Sequence, residues 1–193
     1  MIKQSILART DLLEIIREIA VKIAGVYQSG HKIMLAGNGG SAADAQHLAG
    51  ELVNRFYFNR PALAAIALTT DTSVLTAIGN DDSFDKIYAR QIEAIGVEGD
   101  LLIGISTSGN SPNIINAVNE CKRKGIMSVG FTGQGPNRLT ESADYCIRVP
   151  ALETPRIQEC HILIGHTICA VVEKLMFQGS MPEVTQNVFQ AGR

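Results

Sequence analysis

The sequence predicts an α/β domain in which a five-stranded parallel sheet is covered by helices on both faces, with an extra helix at the N-terminus. Three observations lead there. Short runs of Ile, Leu, Val and Ala alternate with longer amphipathic segments, the rhythm of βαβ units. The strand cores are uncharged and lack polar alternation, as strands buried on both faces must be. Several of the 18 glycines sit in short loops directly after those runs, where backbone must approach something closely.

Residues 3–29 read as one long amphipathic helix, with Leu7, Leu12, Ile16, Ile19, Ile23 and Val26 at helical spacing and Ser29-Gly30 as its stop. Lys32–Ala36 is the first strand, and a helix follows from about Ala42 to Arg55. Ala64–Leu68 is the second strand; Thr72–Ile78 and Phe84–Ala94 read as helices. Leu101–Ile105 is the third strand, Asn113–Lys124 a helix, Met127–Phe131 the fourth strand and Arg138–Ser142 a short helix. Tyr145–Val149 is the fifth strand, and Pro155–Met176 a long final helix. The expected organisation is a single domain over 1–193, with residues 1–30 as a helical arm and 31–193 as the α/β core. The arm's apolar stripe is expected to bury against another subunit.

Composition bounds the function. With 46% hydrophobic and 19% charged residues the chain can bury a core, so dominant disorder is excluded. A net charge of −2 and the absence of Trp give no electrostatic or stacking case for nucleic acid or an anionic membrane surface. The N-terminal segment mixes charges into its apolar positions, unlike an export signal, and the apolar run Ile162–Val172 is too short to span a bilayer. Cys121, Cys146, Cys160 and Cys169 have no CxxC spacing, so reduced thiols in the cytoplasm are expected.

In open α/β sheets, ligands bind beyond the carboxyl ends of the strands. Two such ends carry unusual loops here. Gly37-Asn38-Gly39-Gly40-Ser41 can turn tightly and present N–H groups at the positive end of the next helix. Ser106-Thr107-Ser108-Gly109-Asn110-Ser111 leads into a helix with hydroxyls that can hold a phosphate without Lys or Arg. Either loop alone could be a glycine turn or a capped helix; two at successive strand ends favour a phosphate ligand. The run Gly37-x-Gly39-x-x-Ala42 also fits a loose dinucleotide fingerprint. However, Asp71 lies well beyond where the acidic partner is needed, and a nicotinamide cofactor leaves the Ser-rich loop unexplained.

With GNGGSAADAQH, ISTSGNS and the terminal RIQE followed by two histidines, the chain resembles the SIS (sugar isomerase) domain family, and more narrowly its phosphoheptose isomerase branch. The likeness covers nearly the whole chain. It implies a flavodoxin-like doubly wound sheet and an aldose–ketose isomerase. That enzyme would convert sedoheptulose 7-phosphate to D-glycero-D-manno-heptose 7-phosphate through an enediol, the first step toward nucleotide-activated heptose for bacterial surface polysaccharide. It also implies a homotetramer and one zinc per subunit.

His47 and Glu51, four apart on one helix, share a face and can point into one cleft. Gln158 and His166 lie on the last helix, roughly 80° apart around its axis. Local spacing would favour His161, three residues from Gln158; the resemblance implies His166 instead. It implies His47, Glu51, Gln158 and His166 as zinc ligands, with Glu51 as base and His166 as second acid/base. It further implies Asn38, Gly39, Gly40, Ser41, Glu51, Asn80, Asp81, Ser106, Thr107, Ser108, Ser111 and Gln158 as substrate contacts. Taken alone, Asn80-Asp81 reads as a turn, and Arg55 and Arg60 around Phe56-Tyr57-Phe58 read as a helix end packing on a neighbour. The competing function is a non-catalytic SIS protein of the replication-initiation accessory type, which has no use for the four polar groups together. A sugar-phosphate-sensing regulator would need a DNA-binding domain for which there is no basic patch.

Overall fold

A computed structural model of the chain describes residues 2–178. Five parallel strands lie in the order β2-β1-β3-β4-β5, the flavodoxin-like order. They are β1 (Ile33–Gly37), β2 (Ala65–Ala67), β3 (Leu101–Ile105), β4 (Met127–Gly133) and β5 (Tyr145–Val149). β1 and β3 are buried along their whole length, as expected of strands covered on both faces.

Alternate strand side chains feed two hydrophobic clusters. Ile33, Leu35, Leu101, Ile103 and Ile105 face a cluster that also contains residues of α2 (Thr10–Gln28), α3 (Gly40–Val53) and α8 (Thr154–Phe177). Met34, Ala36 and Leu102 face the other, with α5 (Ile87–Ile95) and α6 (Pro112–Lys124). The chain leaves β1 toward β2 on one side and reaches β3 on the other, so the sheet's switch point lies between β1 and β3. Their register pairs Gly37 with Ile105. The glycine loop and the serine loop therefore begin side by side at that crevice, where such folds bind ligands.

Several boundaries differ from the sequence reading. The single helix over 3–29 is two, α1 (Ile2–Leu7) and α2, with Arg9 extended between them. Both halves keep helical spacing, so periodicity cannot reveal the break; it turns Ile6 into the core while α2 lies along α8 and β5. The stripe Leu12, Ile16, Ile19, Ala20, Ile23 and Val26 is buried within this one chain. The α2 part of the stripe therefore gives no argument for a second subunit, and α2 is part of the core, whereas Leu7 on α1 stays exposed. Asn80 and Asp81 are not in a turn; they end α4 (Thr72–Asp81). The segment after it opens with a 3-10 turn, Phe84–Lys86, before α5. The short helix Arg138–Ser142 (α7) and β5 lie where expected. α8 is long and apolar enough to meet the length and composition of a membrane span, contrary to the reading of its central run. Half of that window is buried, against α2, α3 and the sheet.

α3 and α8 pack side by side in parallel. Gly40 meets Gln158 at their N-terminal ends, and Leu48 meets Gly165 further along. Glycine at 165 is what allows the approach: a Cβ there would lie 2.6 Å from Leu48 Cδ2 and 2.7 Å from Cδ1. Ala is a better helix former than Gly by about 1 kcal/mol, but overpacking a filled core costs about 1–3 kcal/mol. We expect Gly165→Ala to lower the denaturation midpoint and Leu48→Ala to relieve part of that loss. Gly25→Ala in α2, where a Cβ meets nothing within 4 Å, should raise the midpoint, with a gain in stability of about 0.5–1 kcal/mol. Equal responses at 25 and 165 in urea titrations would refute the packing argument.

Candidate active site

The glycine loop closes tightly onto α3. Gly39 has φ +55° and sits just before the helix, a conformation that L side chains rarely adopt. A Cβ on Gly37 would collide with the Ser41 backbone, and one on Gly40 would lie 2.6 Å from Gln158 Nε2. The helix starts two residues before its expected beginning at Ala42 because Gly40 and Ser41 already belong to its first turn, with Gly39 as N-cap.

The serine loop gathers hydroxyls at the N-terminus of α6. Ser106, 4% exposed, has its Oγ 2.9 Å from Ser111 Oγ and 3.5 Å from Ser108 Oγ. Gly109, at φ +64°, fits under Asn137, whose side chain a Cβ would strike. Leu139 N–H donates to Gly109 O at 2.9 Å, and Arg138 N–H to Asn110 Oδ1 at 3.1 Å. The loop is thus shaped from outside. No Lys or Arg is among its residues, so a bound phosphate would be held by hydroxyls, N–H groups and the helix end.

The two loops are tied together by a pair that the sequence reading missed. Asn38 Nδ2 donates to Asn113 Oδ1 at 2.9 Å, and Asn113 Nδ2 donates back to Asn38 Oδ1 at 2.8 Å. Asn113 is 1% exposed. The sequence signal was only an Asn in the first turn of a helix, which usually means a cap. The Asn38 side chain is therefore engaged in holding the loops together.

Between about 10 and 16 Å along α3 from Gly40, at His47 and Glu51, three groups converge. His47 Nε2 lies 2.8 Å from His166 Nε2 and 3.2 Å from Glu51 Oε1. The three ligand atoms fall within 4.8 Å of one another. His166 also stands against the Phe56 ring, with centroids 5.5 Å apart. Of the four expected metal ligands, three meet; Gln158 lies against Gly40, at the other end of the α3–α8 seam. Whichever of the two Nε2 atoms carries a proton, one neutral imidazole N–H cannot serve both the His47–His166 and the His47–Glu51 contact, so lone pairs outnumber protons at this point. A cation removes that imbalance. Ligand atoms of four-coordinate zinc stand about 3.3 Å apart for bonds near 2.0–2.1 Å, close to the spacings found. Two imidazoles and a carboxylate are borderline-soft donors suited to zinc, so the residues fit such an ion.

Asp44, one turn before His47, also belongs to this neighbourhood and was not foreseen. Burial raises its carboxyl above the ordinary range, with His47 and His166 opposing that rise. Its Oδ2 is buried without a hydrogen-bond partner. The i, i+3 spacing to His47 was the available signal. Asn80 and Asp81 are exposed at the end of α4 and hydrogen-bond to each other at 2.8 Å. Arg55 bonds Asn59 locally, whereas Arg60 turns inward and pairs with Glu173 within the same chain.

His161 is separated from the cluster. It is 1% exposed, and its Nε2 lies 3.3 Å from the Thr132 carbonyl oxygen, with Phe131 edge-on to the ring. Burial pushes its imidazole down to about 4. The unfolded chain therefore takes up that proton below about 6.5 while the folded chain does not until about 4. Stability conferred by the neutral ring is present above pH 6.5 and drains away as pH falls toward 4, by at most about 1.4 kcal/mol per pH unit. Urea midpoints between pH 7 and 4.5 should show this fall and show it flattened in His161→Gln.

Comparisons with known proteins identify the family. Residues 4–133 match the SIS domain family model. The chain is 58% identical over 183 residues to a phosphoheptose isomerase of Aneurinibacillus thermoaerophilus, covering 95% of this chain and 92% of the relative. It is 56% identical over 177 residues to phosphoheptose isomerase 2 of Campylobacter jejuni, covering 92% and 88%. The solved phosphoheptose isomerase of Neisseria gonorrhoeae superposes with a TM-score of 0.82 at 41% identity, covering 89% of this chain and 91% of that one. Likeness at that level over nearly the full length leaves one conclusion: the chain belongs to the SIS-domain family and, within it, to the phosphoheptose isomerases, which are aldose–ketose isomerases.

Proposed function

We propose that the chain interconverts sedoheptulose 7-phosphate and D-glycero-D-manno-heptose 7-phosphate by moving a proton between C1 and C2 of the open-chain sugar through a cis-enediol. The observation that carries this reading is the convergence of His47, Glu51 and His166 one helix length from two loops suited to a phosphate. A seven-carbon sugar has its phosphate and its reactive carbons at opposite ends, and the glycine loop and the cluster lie at different levels along α3.

In this reading Ser106, Thr107, Ser108 and Ser111 seat the phosphate at the N-terminus of α6, where each hydrogen bond to the dianion contributes about 1.5–3 kcal/mol. Asn38, Gly39, Gly40 and Ser41 line the other wall of the crevice, with Gln158 against Gly40. Glu51 takes the proton from carbon, and His166 donates to the carbonyl oxygen and assists ring opening. His47, Glu51 and His166 would hold a zinc ion; family likeness implies Gln158 as fourth ligand, which would have to leave its place against Gly40 to join them; when bound, zinc polarises the substrate carbonyl. Glu51 would have to loosen from the ion to act as base. By family likeness Asn80 and Asp81, exposed at the end of α4, are proposed as further substrate contacts.

The cytoplasm is the proposed compartment, supported by four unpaired cysteines. A homotetramer is proposed from family likeness and from Leu13, Val21, Leu163 and Leu175, which stay exposed on α2 and α8. Light scattering at micromolar concentration should give the mass of four chains; a monomer mass would overturn the assembly.

General acid–base groups contribute about 10²–10⁴-fold in rate. Glu51→Gln and His166→Gln should each lower kcat by that factor with little change in KM. Wild-type protein should exchange substrate C–H protons with deuterated water, and a chelator should change that rate if the ion assists the step. Near-native turnover in either variant would remove that residue from the proton path. An absence of exchange in the wild type would move the non-catalytic SIS reading to first place.

A further inference from the structure

Glu51 is a member of the proposed site, yet no side chain on α3 itself meets the carbonyl of Glu51 near the end of the helix that carries it. The last turn has no basic residue, and the final carbonyls of a helix lack intrahelical partners. Asn54 N–H meets Gly50 O and Leu63 N–H meets Leu52 O; Arg60, from the loop beyond, meets Glu51 O and adds a second donor to Leu52 O. Its Nη2 donates to Glu51 O at 2.9 Å and its Nη1 to Leu52 O at 2.8 Å and Pro61 O at 3.0 Å. Its Nε donates to Glu173 Oε1 at 2.9 Å. Glu173, on α8 two turns beyond His166, also accepts the Phe56 and Tyr57 N–H groups at 2.9 and 2.8 Å. The two side chains are only 1% and 2% exposed.

A buried ion pair is a poor device for stability alone, because desolvation offsets most of its attraction and apolar replacements are often neutral or better. What this pair does that an apolar pair cannot is hold three backbone elements at once: the carbonyls ending α3, the amides of the following loop and the helix bearing His166. The loop amides it fixes belong to Phe56 and Tyr57, and the Phe56 ring stands against His166. The α3–α8 seam is set by Gly40–Gln158 at one end and Gly165–Leu48 in the middle; Arg60–Glu173 closes the other end, where Glu51 sits.

We propose that Arg60 and Glu173 are positioning residues: they hold the height and rotation of Glu51 relative to His166, and their removal costs turnover beyond its effect on folding. This rests on the reading of Glu51 and His166 as the proton-transfer groups. The expected signature is a split between kcat and KM. The phosphate seat at the serine loop is on β3 and α6, away from the pair, so KM should stay within about twofold. Small displacements of a catalytic group can cost up to 10²-fold in rate; for this pair we expect kcat to fall at least tenfold.

The experiment uses full-length protein and three variants. Arg60→Lys keeps the charge but cannot fork to Glu51 O, Leu52 O and Glu173 together. Arg60→Met combined with Glu173→Leu removes both charges but leaves Glu51 O and the Phe56 and Tyr57 N–H groups without these partners, so it should melt below the wild type. Glu51→Gln is assayed alongside. A tenfold or larger fall in kcat at unchanged KM, in Arg60→Lys and in the double variant at temperatures where both are folded, supports the proposal. If the double variant does not fold, Arg60→Lys alone decides by the same split. Native kcat in folded Arg60→Lys overturns the proposal while leaving Glu51 in place, provided Glu51→Gln is impaired. If Glu51→Gln turns over normally, the reading of Glu51 fails and the proposal falls with it.

Discussion

The structure depends on the close parallel packing of α3 against α8. Each helix carries half of the proposed chemistry, and neither half is useful without the other. Gly165 permits the approach, and at that distance His47 and His166 bring their Nε2 atoms to 2.8 Å. Two helices of the same direction also keep the same level along their length. The N-terminal end of the seam therefore lies at the glycine loop and the far end at Glu51. A ligand with a phosphate at one end and a reactive carbonyl at the other is matched by that layout.

The sheet provides the second constraint. Because Gly37 and Ile105 are in register across β1 and β3, the two loops leave the sheet at one level. The reciprocal Asn38–Asn113 amide pair then joins them. Both loops rest on neutral groups, which suits a phosphate whose charge is met by helix ends and hydroxyls. The surrounding segments are spent on shape: Asn137 and Leu139 mould the serine loop, and Tyr88, its phenol pushed up to about 12 by burial, donates to the Gly37 carbonyl oxygen.

Much of this was legible in the sequence. Strand cores without charge, helices between them and loops rich in Gly, Ser and Thr determine a doubly wound parallel sheet, because a strand buried on both faces admits no other pattern. The phosphate-suited loops were visible for the same local reason: glycines and hydroxyls after a strand and before a helix act within a few residues of one another. His47 and Glu51 were visible as a pair because α-helical geometry puts i and i+4 on one face.

What lay beyond the sequence involves partners far apart along the chain. Local spacing favoured His161 over His166, and only the tertiary packing separates them, turning His161 under Thr132 and Phe131 and His166 toward His47. The break between α1 and α2 was hidden because both halves keep the same apolar period, and the burial of the α2 stripe within one chain was hidden because a period does not name the surface it meets. Arg60 and Glu173, 113 residues apart, appeared as one more arginine near an aromatic patch and one more helical acid. Periodicity and local loop chemistry are short-range and survive in one dimension; the choice among equivalent side chains is made where distant elements pack, and only the folded chain makes that choice.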